Sequence, residues 1–332
     1  MLAGEWSVLE ENGCCIALAL NRFITVTITE APEITVTSDF PGFSHSNTFT
    51  HTALHYASRY LQEKNITLKP FHLELLTQSF YDTGLNKEKF GLGSSAALVV
   101  GIVQAILVFH GINDTNTNGS NVIFKIAFLA HMHAQKNLGS GFDIAVATYK
   151  TPLFYRPPDH AWLTQTQERT SLVELVEQVW PNLEIKPITL PHSLHVLVGF
   201  VGKGSKTTDL IEKVNLFKQA HPHKYQNIYT QIHMLVEKLC NVLQTNDHEK
   251  ILSLIRHNRL LLQELSHTSG ANLETEPLRL LIELAEQHGA AAKFSGAGGG
   301  DCGIAVCFDI SQADAIRNAW RQAGIITITE KS

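Results

Sequence analysis

The chain has 332 residues, 44% of them hydrophobic and 17% charged, with a formal net charge of −5. A length and composition of this order fit one large or two medium domains with a real core. The negative balance leaves no overall basic field for nucleic acid, no apolar run is long enough to span a membrane, and no signal peptide opens the chain. The five cysteines are odd in number and sit mostly in apolar surroundings such as Cys14-Cys15, which predicts reduced core residues in a cytoplasmic protein.

In chain order, Ala3-Gly4-Glu5-Trp6-Ser7-Val8-Leu9-Glu10 leads into a small apolar stretch, Cys14 to Leu20. Arg22 to Thr29 alternates with period two and is rich in β-branched residues, which predicts a half-buried strand, with Glu33 to Thr37 as its hairpin partner. Thr48 to Gln62 carries apolar residues at helical spacing. His72 to Gln78 is a further strand, and Asn121 to His133 a helix. Pro157 to Glu168, polar and opened by Pro157-Pro158, predicts a loop. His195 to Phe200 is a short apolar strand, and a helix follows from Asp209. Long amphipathic runs fill Tyr225 to Gln244, His248 to Ser266 and Pro277 to His288. Gln312 to Ala323 is the last helix and Ile325 to Thr329 the last strand. There is no internal repeat or low-complexity tract.

Four glycine- and hydroxyl-rich turns punctuate this order. In Phe90-Gly91-Leu92-Gly93-Ser94-Ser95-Ala96-Ala97 two glycines and two serines open onto an apolar run of about three helical turns. Free backbone N–H groups and the positive end of the dipole meet at such a helix start, a ready site for a phosphate. The alternative is a Ser-capped buried helix. No lysine follows Gly93, which excludes a Walker A loop, and the polar stretch Asp82 to Lys89 stands where a dinucleotide fold needs a strand. Leu138-Gly139-Ser140-Gly141-Phe142-Asp143 is a second turn, with a carboxylate one residue inside its helix. Asp143 is placed either to accept a proton or bind magnesium, or to complement the helix dipole. Gly202-Lys203-Gly204-Ser205-Lys206-Thr207-Thr208 adds two lysines suited to an acidic group, or is a plain solvated helix start. Ser295-Gly296-Ala297-Gly298-Gly299-Gly300-Asp301 holds more glycine than a turn needs, as where backbone must approach a ligand or another loop. The pairs His51/His55 and His131/His133 lack the further ligands of a transition-metal site.

Taken together, the turns resemble the GHMP family of small-molecule kinases. Gly91 to Ala96 resembles that family's Gly-Leu-Gly-Ser-Ser-Ala turn, Ser295 to Gly300 its late glycine motif, and Ala3 to Glu5 its early Ala-Gly-Glu segment. Within the family the chain looks most like the phosphomevalonate kinase branch. The features are Ala3 to Glu10, Gly139-Ser140-Gly141-Phe142-Asp143-Ile144-Ala145, the Gly204 to Thr208 turn, and Lys293 to Ala305. The resemblance spans nearly the whole chain. It implies a two-domain α+β fold: a ribosomal S5 domain 2-like N-terminal domain over residues 1–190, with a left-handed β-α-β feature, and a ferredoxin-like C-terminal domain over residues 191–332.

The resemblance further implies transfer of the ATP γ-phosphate to a small phosphorylated acceptor by a cytoplasmic monomer or homodimer using ATP and Mg2+. Gly91, Leu92, Gly93, Ser94, Ser95 and Ala96 would cradle the nucleotide phosphates. Ser94, Ser95 and Asp143 would hold the metal, and Lys89 would reach the β- or γ-phosphate. Ser95, Lys89 and Asp143 would carry catalysis. Ser140, Lys203, Ser205, Lys206 and the turn of Ser295, Gly296, Ala297, Gly298 and Gly299 would take the acceptor. Two departures accompany the match. Family members open with a strand carrying Ala-Pro-Gly-Lys, whose lysine is expected to neutralise the transferring phosphate, whereas this chain starts at Met1-Leu2. The helix before Asp143 ends Ala130-His131-Met132-His133, without the metal-binding glutamate of mevalonate kinases. A different kinase of the same family and a non-catalytic nucleotide-binding relative remain the other two readings at this point.

Overall fold

The structure, a computed structural model, describes residues 1–39, 47–81, 89–112, 117–136, 138–202, 207–245 and 247–328. The first half runs β1 (Cys15–Ala17), β2 (Thr25–Glu30), β3 (Thr35–Ser38), α1 (Thr48–Glu63), β4 (Phe71–Leu76), α2 (Ser94–Phe109), α3 (Thr117–Ala134), α4 (Phe142–Tyr149), β5 (Leu153–Arg156), α5 (His160–Gln167), α6 (Leu172–Glu177) and β6 (Glu184–Pro187). The second half runs β7 (His195–Phe200), α7 (Thr207–Ala220), α8 (Pro222–Val242), α9 (His248–Ser269), α10 (Glu276–Glu286), β8 (Ala291–Phe294), β9 (Cys302–Cys307), α11 (Ile310–Gln322) and β10 (Ile326–Ile328).

Helix α2 is the axis of the first half. It is apolar on nearly every face, so it is stable only where other elements cover it. Helices α1 and α3 pack along it, and β2 crosses it where Gly101 admits the Val26 side chain. Helix α1 buries Ala53, Tyr56, Ala57, Tyr60 and Leu61, a helical stripe, and starts where the Asn47 side chain accepts the Thr50 N–H at 3.2 Å. Such a cap contributes about 1 kcal/mol.

Strand β4, with Phe71, Leu73 and Leu75 turned inward, is the centre of a three-stranded sheet ordered β2-β4-β3. This corrects one sequence expectation. The strand over Glu33 to Thr37 is not the hairpin partner of the strand before it; β3 pairs parallel with β4, and β2 pairs antiparallel with β4. The link Ala31 to Ile34 lacks the Asn-Gly or Gly-X pair that a tight hairpin requires, and helix α1 carries the chain across from β3 to β4 as a β-α-β unit. A second correction falls on Pro157 to Glu168. His160–Gln167 is helix α5, capped by Asp159, whose side chain accepts the Trp162 N–H at 2.9 Å. The proline pair sets the approach and the aspartate starts the helix.

The second half is built on an antiparallel sheet ordered β10-β7-β9-β8. With its strands numbered in chain order, this is the 4-1-3-2 arrangement of a ferredoxin-like fold. The first core lies within residues 8–180. The second takes in Val198, Phe200, much of α7 to α9, Phe294 and Ile304, but also Leu2, Ala3, Trp6, Cys14 and Ile16 from the start of the chain. All five cysteines are buried and free. Among the described residues no helix is long and apolar enough to cross a membrane.

Candidate active site

Two helix N-termini meet in the first half, and glycine makes both possible. Gly93 (φ 75°) caps α2 and Gly141 (φ 78°) caps α4, each in the left-handed region that glycine enters without steric penalty. Their closeness is direct: a Cβ on Gly93 would lie 3.3 Å from the Cβ of Asp143, so the carboxylate in the first turn of α4 stands over the glycine that opens α2. Ser94 is buried in the first turn of α2, Ser95 is half-buried beside it, and Ala96 is fully buried. Leu92 rests against the second core.

Residues from elsewhere fix this loop. The Phe90 carbonyl accepts the Cys302 thiol at 3.1 Å, and the Phe90 ring meets Phe200 edge-on at 5.2 Å. A Cβ on Gly91 would stand 2.8 Å from Asp301 Oδ2, so the end of the late glycine turn touches the loop that opens α2. That turn is closed by Ser295 N–H donating to Cys302 O at 3.0 Å and Gly299 N–H donating to Leu273 O at 2.6 Å. Ser295 Oγ donates to the Met1 carbonyl at 3.1 Å. Gly298 packs against Leu273, Ala297 against the second core, while Gly296 faces open space.

His131, near the end of α3, was not singled out by sequence as part of this group. It is 1% exposed, and its Nε2 lies 3.2 Å from Ser95 Oγ. Burial lowers its pKa below the usual histidine range, the Asp143 carboxylate opposes that shift, and the Lys89 charge adds to it. Its neutral form is therefore favoured at neutral pH. Lys89 reaches solvent, yet the protein crowding its ammonium lowers its pKa, with Asp301 pulling the other way. Lys89, Gly91, Gly93, Ser95, His131, Asp143 and Asp301 thus form one neighbourhood. Ser140 precedes the second cap: its carbonyl accepts the Tyr155 hydroxyl at 2.7 Å, and its own buried hydroxyl has no partner among the described residues. Lys203, Gly204, Ser205 and Lys206 lie outside the described residues.

Beneath this neighbourhood, the opening segment is locked to β8. Glu5 and Lys293 form a fully buried ion pair; Asn258 Nδ2 donates to Glu5 Oε2 at 3.2 Å, and Lys293 also donates to the Phe294 carbonyl at 2.7 Å. Burial pushes Lys293 below the usual lysine range, and Glu5 draws it back.

The donor set suits a hard cation. Among the described residues no three His, Cys, Asp or Glu side chains cluster as metal ligands. Hydroxyls with a single carboxylate fit Mg2+, which in nucleotide sites takes one or two carboxylates and finds its other ligands in phosphate and water. Chemically, the arrangement can hold a polyphosphate against the start of α2 while Asp143 faces whatever approaches it.

The family pattern for the GHMP kinases N terminal domain matches residues 47–151, and that for the GHMP kinases C terminal domain matches residues 235–326. A phosphomevalonate kinase of Streptomyces sp. strain CL190 is 27% identical over 98% of this chain and 93% of its own. A Lin0012 protein from Listeria innocua superposes with a TM-score of 0.91 at 31% identity, over 98% of this chain and 93% of its own. Streptococcus pneumoniae phosphomevalonate kinase, solved in complex with phosphomevalonate and AMPPNP, superposes with a TM-score of 0.86 at 26% identity, over 99% of this chain and 95% of its own.

Proposed function

The chain belongs to the GHMP kinase family, and from that membership we propose that it is a phosphomevalonate kinase, moving the γ-phosphate of ATP to the phosphate of (R)-5-phosphomevalonate with release of ADP. The observation that carries the reading is the meeting of the two glycine-capped helix starts, with Asp143 over Gly93. Such a pair of N-termini favours two anionic groups brought close together.

Gly91 to Ala96 cradle the nucleotide phosphates with backbone N–H groups. Ser94, Ser95 and Asp143 would hold Mg2+, which would neutralise charge on the phosphates. Lys89 reaches the β- or γ-phosphate. A phosphate oxygen of the acceptor attacks the γ-phosphorus as the bond to the β-phosphate oxygen breaks. The acceptor phosphate is mostly ionised near neutral pH, so no strong general base is needed, and Asp143 orients it and the metal. Ser140, with its unpaired buried hydroxyl, the Ser295 to Gly299 turn, and Lys203, Ser205 and Lys206 take the acceptor. The division into units of residues 1–190 and 191–332 is supported by the first core's confinement to residues 8–180. Five free, buried cysteines favour a reducing, cytoplasmic compartment.

The test is coupled ADP release with MgATP and, in turn, 5-phosphomevalonate, mevalonate, homoserine and galactose. Turnover on 5-phosphomevalonate alone is expected; none on it would sink the reading. Asp143→Asn and Ser95→Ala should each lower kcat by about a hundredfold with the fold intact. Unchanged rates in both would remove these residues from the site.

A further inference from the structure

The loop that opens α2 is held from the second half of the chain by the pair Asp301-Cys302. Cys302 donates its thiol to the Phe90 carbonyl at 3.1 Å, and the Phe90 N–H donates to the Phe80 carbonyl at 3.1 Å, so both backbone groups of Phe90 are fixed. Phe90 separates Lys89 from Gly91. Asp301 reaches the glycine side, where its Oδ2 would lie 2.8 Å from a Cβ on Gly91. Asp301 is itself anchored across the end of β7. Its N–H donates to the Gly202 carbonyl at 3.0 Å, and its carbonyl accepts the Val201 N–H at 2.9 Å. One residue thus ties the late glycine turn to the loop opening α2 and to the start of the Gly202 turn.

The backbone at this position does not ask for a charge. Asp301 sits at φ 56°, in the left-handed region that asparagine and glycine also enter, and the three residues before it are glycines. Yet the position carries a half-buried carboxylate, set against the loop that would cradle the nucleotide phosphates. Two anions at such close range repel, and more strongly where protein displaces water. The arrangement is favourable only with a cation between them. Two cations flank this part of the loop. Arg22 has its guanidinium 5.5 Å from the Phe90 ring but is tied to the Ser79 carbonyl at 2.9 Å. Lys89 adjoins the fixed Phe90, and while burial lowers its pKa, the Asp301 carboxylate draws it back up. A metal ion is the less suitable cation. Asp143 stands on the Gly93 side and Asp301 on the Gly91 side, and they join no metal-ligand cluster among the described residues.

We propose that Asp301 is a positioning residue for phosphoryl transfer, its carboxylate holding the Lys89 ammonium over the Gly91 side of the loop, where the ATP phosphates bind. This rests on the phosphomevalonate kinase reading. Asp301 comes from the second half of the chain and Lys89 from the first, so the lysine is aimed only where the two halves meet. The aspartate touches neither substrate; it acts through the lysine.

Asp301→Asn keeps the shape and the left-handed backbone and removes the charge. With saturating 5-phosphomevalonate it should lower kcat/KM for MgATP about tenfold, the effect of losing one charge-assisted contact, and leave KM for 5-phosphomevalonate unchanged. A carboxylate that merely repelled the phosphates would give the opposite sign, a lower KM for MgATP, and that result overturns the proposal. So does a rise in KM for 5-phosphomevalonate alone. The same change is then made in a Lys89→Met background, where it should alter kcat/KM by less than about twofold. An equal fall with and without the lysine would show that Asp301 acts by another route, a metal ion included. A Lys89→Met variant as active as the unaltered protein also overturns the proposal. Should Asp301→Asn not fold, Asp301→Gly suits the same backbone and carries the same two expectations. If the unaltered protein shows no turnover on 5-phosphomevalonate, the kinase reading fails and this inference falls with it. If it turns over and the variants match it, this inference is wrong and the kinase reading stands.

Discussion

Glu5 and Lys293 stand 288 residues apart and form an ion pair with neither side chain exposed to solvent. Removing one partner leaves a buried charge without its counter-ion. Lys293→Met should therefore destabilise the protein by about 3–5 kcal/mol, read as a lowered urea midpoint. The double variant Glu5→Leu, Lys293→Met removes both charges and should lose less than Lys293→Met alone. A double variant no more stable than the single one would show that the pair is not where the stability resides.

His131→Leu fills the same space and withdraws the partner of Ser95 Oγ. A hydrogen bond of about 1 kcal/mol in the transition state corresponds to a fall of roughly fivefold in kcat. KM for the acceptor should not change. A leucine variant with the unaltered kcat would exclude His131 from the active site.

Gly141→Ala and Gly111→Ala form a controlled pair. Both glycines have positive φ, but a Cβ on Gly141 would press 2.3 Å from the Phe128 ring, whereas nothing lies within 4 Å of one on Gly111. The change at Gly111 should cost about 1 kcal/mol through backbone strain alone. The change at Gly141 should cost at least about 2 kcal/mol and also lower kcat, because Asp143 rides on the same cap. Thermal melts and steady-state rates on the two variants check this ordering.

The thiols should be silent in the folded protein. Burial pushes the Cys14 and Cys302 thiols up to about 12 and raises Cys15, Cys240 and Cys307 as well. A thiolate-seeking disulfide reagent at pH 8 should titrate none before unfolding and five after. A fast-reacting thiol in the native protein would contradict the burial of the cysteines.

Lys125 gives a pH signature. Its ammonium is buried against the carbonyls of Val176 and Gln178, and burial lowers its pKa to about 8. Because the folded value lies below the unfolded one, the unfolded chain binds more protons between them. The lysine's unfavourable contribution is full below pH 8 and is relieved as pH rises toward about 10.5. The buried thiols act in the opposite sense above pH 9, so the comparison must be with Lys125→Met, which shares them. The stability of the unaltered protein relative to that variant should rise between pH 7.5 and about 10, measured by urea titration. A flat difference would mean that Lys125 titrates as an exposed lysine.

Much of the fold was legible because local signals agreed with tertiary demand. His195 to Phe200 reads as a short apolar strand, and it is strand β7 from end to end. The long amphipathic runs after Tyr225 became α8, α9 and α10 with ends shifted by a few residues. Partner choice between strands was less legible. Glu33 to Thr37 reads as a strand, but nothing local says that β4, arriving after a helix, takes the place between it and β2. At Pro157-Pro158 the loop signal was read and the Asp159 cap behind it was not.

In the candidate site, the glycine turns were visible as sequence, and the structure brings Gly93 to Asp143 and Gly91 to Asp301. His131 was seen only as half of a histidine pair. Its place beside Ser95 follows from the packing of α3 on α2, which no local pattern encodes.

The sharing of the second core between residues 2–16 and the second half of the chain has a consequence for synthesis. Leu2, Ala3, Trp6, Cys14 and Ile16 leave the ribosome well before Ile304 and Ile328 of the same core. The first core, within residues 8–180, can condense on the nascent chain, but the apolar opening segment must stay unsheltered until β9 and β10 are made. During that interval it is a ready substrate for a hydrophobe-binding chaperone. A truncated chain lacking β9 should accordingly be captured by such a chaperone rather than released.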